Sequence, residues 1–228
     1  MSSARGDIVS NIRRSLGVTG QEAPRRFAVT DRLTRAPTGV IPARGQRDGA
    51  ARIAMFREQA VAVSATVAMV ESAQAAPAEI ARYLRENNLP AILRRGEDAR
   101  LAAMDWSAAG LDVSTGPSDG DDLNAVSHAF GGIAETGTLV MTSGADNPTT
   151  LNFLPDNHIV ILSAADLERD IESVWDRLRG RFGKALMPRT VNMITGPSRS
   201  ADIEQTLLLG AHGPRRLHIV IVGSAPHA

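Results

Sequence analysis

The chain has 228 residues, of which 43% are hydrophobic and 4% aromatic, and its formal net charge at pH 7 is zero. This length and composition predict a globular protein of one large or two small domains with an aliphatic core. The chain contains no cysteine, which excludes disulfides, thiolate chemistry and an iron–sulfur cluster held by this chain alone, and its zero net charge favours neither nucleic acid nor membrane surfaces.

The first 47 residues differ in charge from the rest of the chain. They hold nine arginines and three acidic residues, an excess of six positive charges, so the remainder must carry an excess of six negative charges. Residues 7–16 are predicted to form a short amphipathic helix, because Ile8, Ile12 and Leu16 recur at a spacing of four. Residues 17–45 contain several prolines, glycines and arginines and are predicted to be irregular. We expect residues 1–47 to form a basic helix and arm, which either wraps the protein or is disordered, or docks onto an acidic partner.

From residue 46 onward, helical patterns alternate with short apolar runs. Helices are predicted over 48–61, from Pro77, near 97–104, after a capping box of Ser163 and Asp166, and over about 200–209. Strands are predicted over 65–70, 90–93, 111–114, 124–129, 138–142, 158–162, 191–194 and 217–222. This alternation predicts a single α/β domain over 48–228, with a mixed, mostly parallel sheet covered by helices on both faces. The strands at 124–129 and 138–142 are the expected antiparallel pair.

The first candidate site is the turn that contains Glu135, Thr136, Gly137 and Thr138. A glycine at a strand end lets the backbone approach a ligand or adopt a positive φ angle. A glutamate just before it is suited to act as a nucleophile or general base. The alternative is that Glu135 is a loop carboxylate whose oxygens accept backbone N–H groups.

The second candidate site follows the strand that ends near residue 195. Gly196 and Pro197 form a turn, and a helix is expected to begin at Ser198 or Ser200. Free N–H groups at a helix start, with Arg199 beside them, would bind a phosphate or carboxylate. Alternatively the serine is an ordinary helix cap, and the acids at 202 and 204 complement the helix dipole themselves.

Two further loops are less specific. Ser143, Gly144 and Asn147 lie in a small polar loop that is either an anion-binding concavity or a plain turn. His212 lies in a glycine-containing loop and is either near a site or a capping or surface residue. The histidines show no metal-ligand spacing, so we expect no metal site.

Other function classes are disfavoured by missing motifs. The sequence has no Walker loop and no Gly-x-Gly-x-x-Gly fingerprint, and its basic residues are not interleaved with aromatics. No apolar run approaches the ~20 residues of a membrane-spanning helix. The first 17 residues lack the apolar core of a signal peptide, so we expect a cytoplasmic protein.

Four segments, in this order and spacing, resemble the lactate-utilisation protein C family, also called the LUD domain. They are residues 134–139, 146–155, 196–204 and 210–214, and the resemblance covers roughly residues 48–223. It implies an α/β/α sandwich like that of the sugar-phosphate isomerase and CoA-transferase group, with a sheet of about six strands. It also implies a role in oxidising L-lactate to pyruvate, so that lactate serves as a carbon source.

In that system the iron–sulfur clusters would lie on partner subunits, and this chain would be a non-redox subunit without a cofactor of its own. Transferases of similar fold form an acyl-enzyme on a glutamate in a Glu-x-Gly turn, which Glu135-Thr136-Gly137 resembles. The residues around that turn depart from the transferase pattern.

The leading hypothesis is one pocket in which Arg199 pairs with the lactate carboxylate and Glu135 accepts the hydroxyl proton. The remaining candidate binding residues are Thr136, Gly137, Thr138, Ser143, Gly144, Asn147, Ser198 and His212. The alternatives are a stand-alone enzyme that uses Glu135 on an acyl or phosphorylated small molecule, and a scaffold whose basic arm grips an acidic partner.

Overall fold

A computed structural model describes residues 3–183, 186–203 and 206–223. Its helices are α1 (Ala4–Leu16), α2 (Ala23–Arg35), α3 (Gly49–Ala62), α4 (Ala76–Glu86), α5 (Ala99–Ala102) and α6 (Ile171–Phe182). Its strands are β1 (Thr66–Val70), β2 (Ile92–Arg95), β3 (Asp112–Thr115), β4 (Asn124–His128), β5 (Gly131–Ile133), β6 (Thr138–Thr142), β7 (Asn157–Ser163), β8 (Leu167–Glu168), β9 (Val191–Ile194), β10 (Arg199–Ile203), β11 (Thr206–Leu209) and β12 (Arg216–Val222).

The main sheet has six strands in the order β1-β12-β7-β4-β2-β3, and all of its pairings are parallel. Its central strands are buried on both faces: residues 157–162 of β7 and 217–221 of β12 are all buried. Burial on both faces explains why these strands are continuous apolar runs rather than alternating ones. The predicted α/β fold with a mostly parallel sheet of about six strands is confirmed.

A second sheet of four strands, in the order β8-β5-β6-β9, lies on one face of the first. Its strand β6 pairs antiparallel with β5 and β9, whereas β4 pairs parallel with β2 and β7. The expected pairing of 124–129 with 138–142 is therefore wrong. Gly131 and Gly132 belong to strand β5, and a Cβ on Gly132 would lie 2.9 Å from the Leu162 side chain. Glycine thus allows β5 to lie close against the main sheet.

Two cores flank the main sheet. On one face, Phe56 and Ala60 of α3 and Leu139 of the second sheet pack against residues of β7 and β12. On the other face, Ile80 and Leu84 of α4 pack against β4, β7 and β12. Helix α6 covers the outer face of the second sheet. The molecule thus has helices outside and both sheets inside.

Two predicted helix starts are wrong. Helix α6 begins at Ile171, and its cap is Asp170, whose Oδ1 accepts the Ser173 N–H at 2.8 Å, while Ser163 makes no side-chain capping bond. The helix expected over 200–209 is replaced by the antiparallel pair β10–β11, among the residues described there. Intrinsic helix propensity is a weak preference that strand pairing overrides.

The N-terminal region contains two helices rather than one, because α2 lies within the segment predicted to be irregular. The apolar residues of α1 that carry its helical pattern, Ile8, Ile12 and Leu16, are all exposed. The segment that follows α2 is fastened to the rest of the protein: the Gly39 N–H donates to Glu172, and Gln46 Nε2 donates to Asp170. The division at residue 47 stays a prediction.

Candidate functional site

A pocket of about 260 Å³ lies where the loop after β9 meets the loop before β12. The Ser198 N–H donates to the Pro214 carbonyl at 2.8 Å, and the Gly210 N–H donates to the Ser198 carbonyl at 3.0 Å, so the two loops are joined by backbone bonds. Gly196 adopts a φ of +75°, and a Cβ there would lie 2.5 Å from the Val63 carbonyl oxygen. Only glycine allows the loop to lie this close to the end of α3.

The pocket contains three of the predicted site residues: Ser198, Arg199 and His212. Its described lining includes no carboxylate, so the guanidinium of Arg199 is its only permanent charge. Arg199 is exposed, and its Nη2 donates to the Ser64 hydroxyl. The other walls are largely apolar and include Met193 and Leu217. A cation beside apolar walls favours a small organic anion.

Two buried polar side chains also line this pocket. Asn152 is 2% exposed, and neither of its amide atoms has a hydrogen-bond partner among the described residues. His158 is 1% exposed; its Nε2 lies 3.1 Å from Ser127 Oγ, and its Nδ1 has no partner within the described part of the chain. Buried polar atoms of native proteins are nearly always hydrogen bonded, so a water or ligand is expected here.

Burial lowers the pKa of His158 to about 4, because the charged form is poorly solvated. The imidazole is therefore neutral at pH 7, with one nitrogen as donor and the other as acceptor. Sequence reasoning missed both Asn152 and His158. Asn152 lay inside a segment that carried the family resemblance, and His158 looked like an ordinary residue of an apolar strand.

Ser198 and Arg199 reach this pocket for a different reason from the one predicted. Ser198 lies just before strand β10, and Arg199 is the first residue of that strand; neither lies at the start of a helix. The predicted helix start is therefore wrong, because residues 199–203 form a strand, while anion binding at Ser198 and Arg199 stays a prediction. What gathers these residues is the contact between the two loops.

The Glu135 turn lies elsewhere, in the β5–β6 hairpin beside α3. Glu135 is 7% exposed, and its Oε1 accepts a bond from Arg44 Nη2 at 3.1 Å. The Glu135 N–H donates to the Arg169 carbonyl. The partner of this carboxylate is thus an arginine of the N-terminal region. Its role as nucleophile or general base stays a prediction.

The threonines of this turn link it to the pocket segment. Thr138 Oγ1 lies 2.6 Å from Thr136 Oγ1 and 2.7 Å from Thr195 Oγ1, and Thr195 directly precedes Gly196. Gly137 adopts a φ of +65° with its Cα against the backbone of α3. The turn therefore supports the loop that holds Ser198 and Arg199, through one hydroxyl chain.

The third predicted loop lines a separate pocket of about 650 Å³, which includes Ser143 and Asn147. Gly144 closes the turn, because its N–H donates to the Asn147 carbonyl and its carbonyl accepts the Asn147 N–H. The structure thus distributes the predicted residues over two pockets and one hairpin. Whether any of them binds substrate stays a prediction.

Both pockets and the hairpin draw most of their residues from one stretch of sequence. Residues 124–222 match the family model of the LUD domain. Over these residues the chain is similar to the LUD domain. The matched stretch includes β4 to β12, and with them every residue predicted for the site.

Curated proteins similar to this chain include two of the same name. The chain is 36% identical over 91 residues to "Lactate utilization protein C" of Geobacillus sp. strain WCH70, which covers 40% of this chain and 38% of that protein. It is 31% identical over 132 residues to the protein of the same name in Bacillus subtilis strain 168, covering 54% and 55% respectively. The chain thus spans from under two fifths to just over half the length of these curated relatives.

The fold has a solved counterpart. A crystal structure of a DUF162 family protein from Deinococcus radiodurans aligns with a TM-score of 0.56 and 21% sequence identity, and covers 76% of this chain and 98% of that one. At this identity the likeness concerns the fold alone. No helix in the described ranges is long and apolar enough to cross a membrane.

Proposed function

We propose that this protein takes part in lactate utilisation, as a non-redox subunit of an iron–sulfur-dependent system that oxidises L-lactate to pyruvate in the cytoplasm. The proposal is supported by the names of its relatives and by the match to the LUD domain. The chain has no cysteine, so clusters and electron transfer would reside on partner subunits.

The observation that carries the proposal is the pocket at Arg199, which has one cation and no carboxylate in its described lining. Its 260 Å³ can hold a small hydroxy or keto acid with room for water. Arg199 would pair with the carboxylate in a bidentate manner, and Met193 and Leu217 would contact a methyl group. His158, neutral at pH 7, would hydrogen bond to a hydroxyl or keto oxygen.

Glu135 has a different part in this proposal. Its Oε1 is bound by Arg44, an arginine of the N-terminal region, and Glu135 is not in the lining of the Arg199 pocket. We therefore propose that Glu135 fastens the N-terminal region, and that the proton acceptor of a lactate reaction lies at the pocket or on a partner subunit.

The test is calorimetric titration of the purified protein with L-lactate and with pyruvate. Arg199→Met should weaken binding about 10- to 100-fold, the range expected for a lost charge-assisted hydrogen bond. The matched control is Arg14→Met, which removes one arginine of α1 outside the pocket. Equal affinities for wild type and Arg199→Met, or no binding of either acid, would reject the pocket.

The partner subunits are tested separately. The exposed apolar residues of α1 and the excess of arginines make the N-terminal helices the proposed contact. Deleting residues 1–36 keeps the fastened segment that begins at Gly39 and removes both helices. The truncated protein should fail to co-purify with cluster-bearing subunits from cells grown on lactate; unchanged recovery would place the contact elsewhere.

A further inference from the structure

The larger pocket, of about 650 Å³, lies at a topologically special place in the main sheet. The chain moves from β2 outward to β3, but from β4 it moves the other way, to β7 and then β12. The direction thus reverses between β2 and β4. In open parallel sheets, ligands bind outside the carboxyl ends of the strands at such a reversal. The pocket is lined there by His128, the last residue of β4, and by Arg100, which follows β2.

One wall of this pocket is a preformed loop. The Glu97 N–H donates to the Ala145 carbonyl at 2.9 Å, and a Cβ on Gly96 would lie 2.1 Å from the Asp146 carbonyl oxygen. Glycine at 96 therefore lets the loop rest directly on the end of β2. The Asp146 side chain accepts the Asn147 N–H at 3.1 Å, which turns this carboxylate toward its own loop.

The charges of the pocket leave one cation available. Arg100 pairs with Asp98 at 2.6 Å, and Arg177 pairs with Asp166 at 2.5 Å and lies 3.8 Å from Glu168. Arg181 has no carboxylate partner among the described residues, and its guanidinium lies 5.6 Å from the Phe182 ring centre.

The lining itself holds three arginines and one carboxylate, Asp146, while Asp98, Asp166 and Glu168 pair with Arg100 and Arg177 from outside it. Arg181 is the lining arginine without a carboxylate partner among the described residues, so it can hold a single oxyanion, while the nearby carboxylates disfavour a polyphosphate.

The pocket also offers hydrogen-bond acceptors. His128 Nδ1 lies 2.9 Å from the Ala129 carbonyl, which can only accept, so this nitrogen carries the proton. Burial and the Arg100 charge lower the pKa of His128, so at pH 7 its Nε2 is an acceptor. Asn147 donates from Nδ2 to the Thr142 carbonyl, which leaves its buried Oδ1 without a partner among the described residues.

Donors beside acceptors define a class of ligand. Arg181 and the Ser143 hydroxyl can donate to an oxyanion, while His128 Nε2 and Asn147 Oδ1 require a donor such as a hydroxyl group. We propose that this pocket binds a hydroxylated organic oxyanion, a polyol with a single phosphate ester or carboxylate. The site is separate from the pocket at Arg199 and does not depend on the lactate proposal.

The test is calorimetric titration with three probes: glucose 6-phosphate, gluconate and glucose. At least one of the two anions should bind and glucose should not; the anion that binds tells whether the group is a phosphate or a carboxylate. Arg181→Met should weaken that binding about tenfold or more. Arg181 is exposed and makes no hydrogen bond within the described chain, so the variant should keep the wild-type melting temperature.

Arg199→Met is the control, because it changes the other pocket and should leave this affinity unchanged. Three outcomes would overturn the proposal: no binding of either anion at millimolar concentration, equal binding of glucose, or an affinity that Arg181→Met does not lower. Failure of lactate to bind would bear on the Arg199 pocket alone.

Discussion

Replacing Gly137 with alanine should destabilise the protein well beyond the cost of its backbone angle. Gly137 has a φ of +65°, and a Cβ there would lie 2.4 Å from Ala60 N and 2.7 Å from the Gln59 carbonyl carbon. Both atoms belong to the backbone of α3, which cannot move aside as a flexible side chain would. The β5–β6 hairpin would have to shift away from the helix.

The magnitude follows from two contributions. A left-handed conformation costs alanine about 1–2 kcal/mol. Overpacking against fixed atoms adds about 1–3 kcal/mol. The total is about 2–5 kcal/mol, a large part of the stability of an ordinary domain.

Gly110→Ala is the matched control. Gly110 has a φ of +72°, but a Cβ there meets nothing within 4 Å, so only the conformational cost remains. Urea unfolding followed by circular dichroism measures both variants. The result that would refute the reasoning is a Gly137→Ala protein as stable as Gly110→Ala, since the close approach to α3 would then not exist.

Two further predictions concern charge. Arg44→Met should lower the free energy of unfolding by about 1 kcal/mol, because Arg44 itself is largely exposed although Glu135 is buried. It should also speed trypsin cleavage between α2 and α3; an unchanged cleavage rate would contradict the role of the Arg44–Glu135 pair. Burial lowers the pKa of His218 to about 4, below the pKa of an unfolded histidine. Below pH 6.5 the unfolded state therefore binds more protons than the folded state, so the free energy of unfolding should fall as the pH drops from 6.5 toward 4. His218→Phe, which keeps the stack on Tyr83, should reduce that pH dependence by the share of His218 and leave the share of His158. An unaltered slope would refute the assignment.

The hydrophobic pattern predicted most elements of the main sheet. The run from Ile159 to Leu162 indicated a strand buried on both faces, and it lies at the centre of a parallel sheet. Apolar residues at helical spacing located α4 and the buried face of α6. These predictions succeed because the spacing of apolar residues shows which face of a segment is buried, and that spacing can be read from the segment itself.

The pairing of strands could not be predicted in the same way. Gly131 and Gly132 have the composition of a turn, yet they form β5 because the main sheet leaves no room for larger side chains there. A helix is predicted over about 200–209, but residues 199–203 and 206–209 pair as antiparallel strands. The strand that pairs with a segment cannot be identified from the sequence of that segment alone.

The candidate site shows the same division. The sequence by itself determined which loops are rich in small polar residues, that Arg199, Ser198 and His212 lie in such loops, and that no cysteine is available for a cluster. Only the tertiary structure decided that these three share a pocket with Asn152 and His158, while Glu135 faces the N-terminal region. The physical reason is that pockets form between segments far apart in sequence, whose approach is set by long-range packing and backbone bonds.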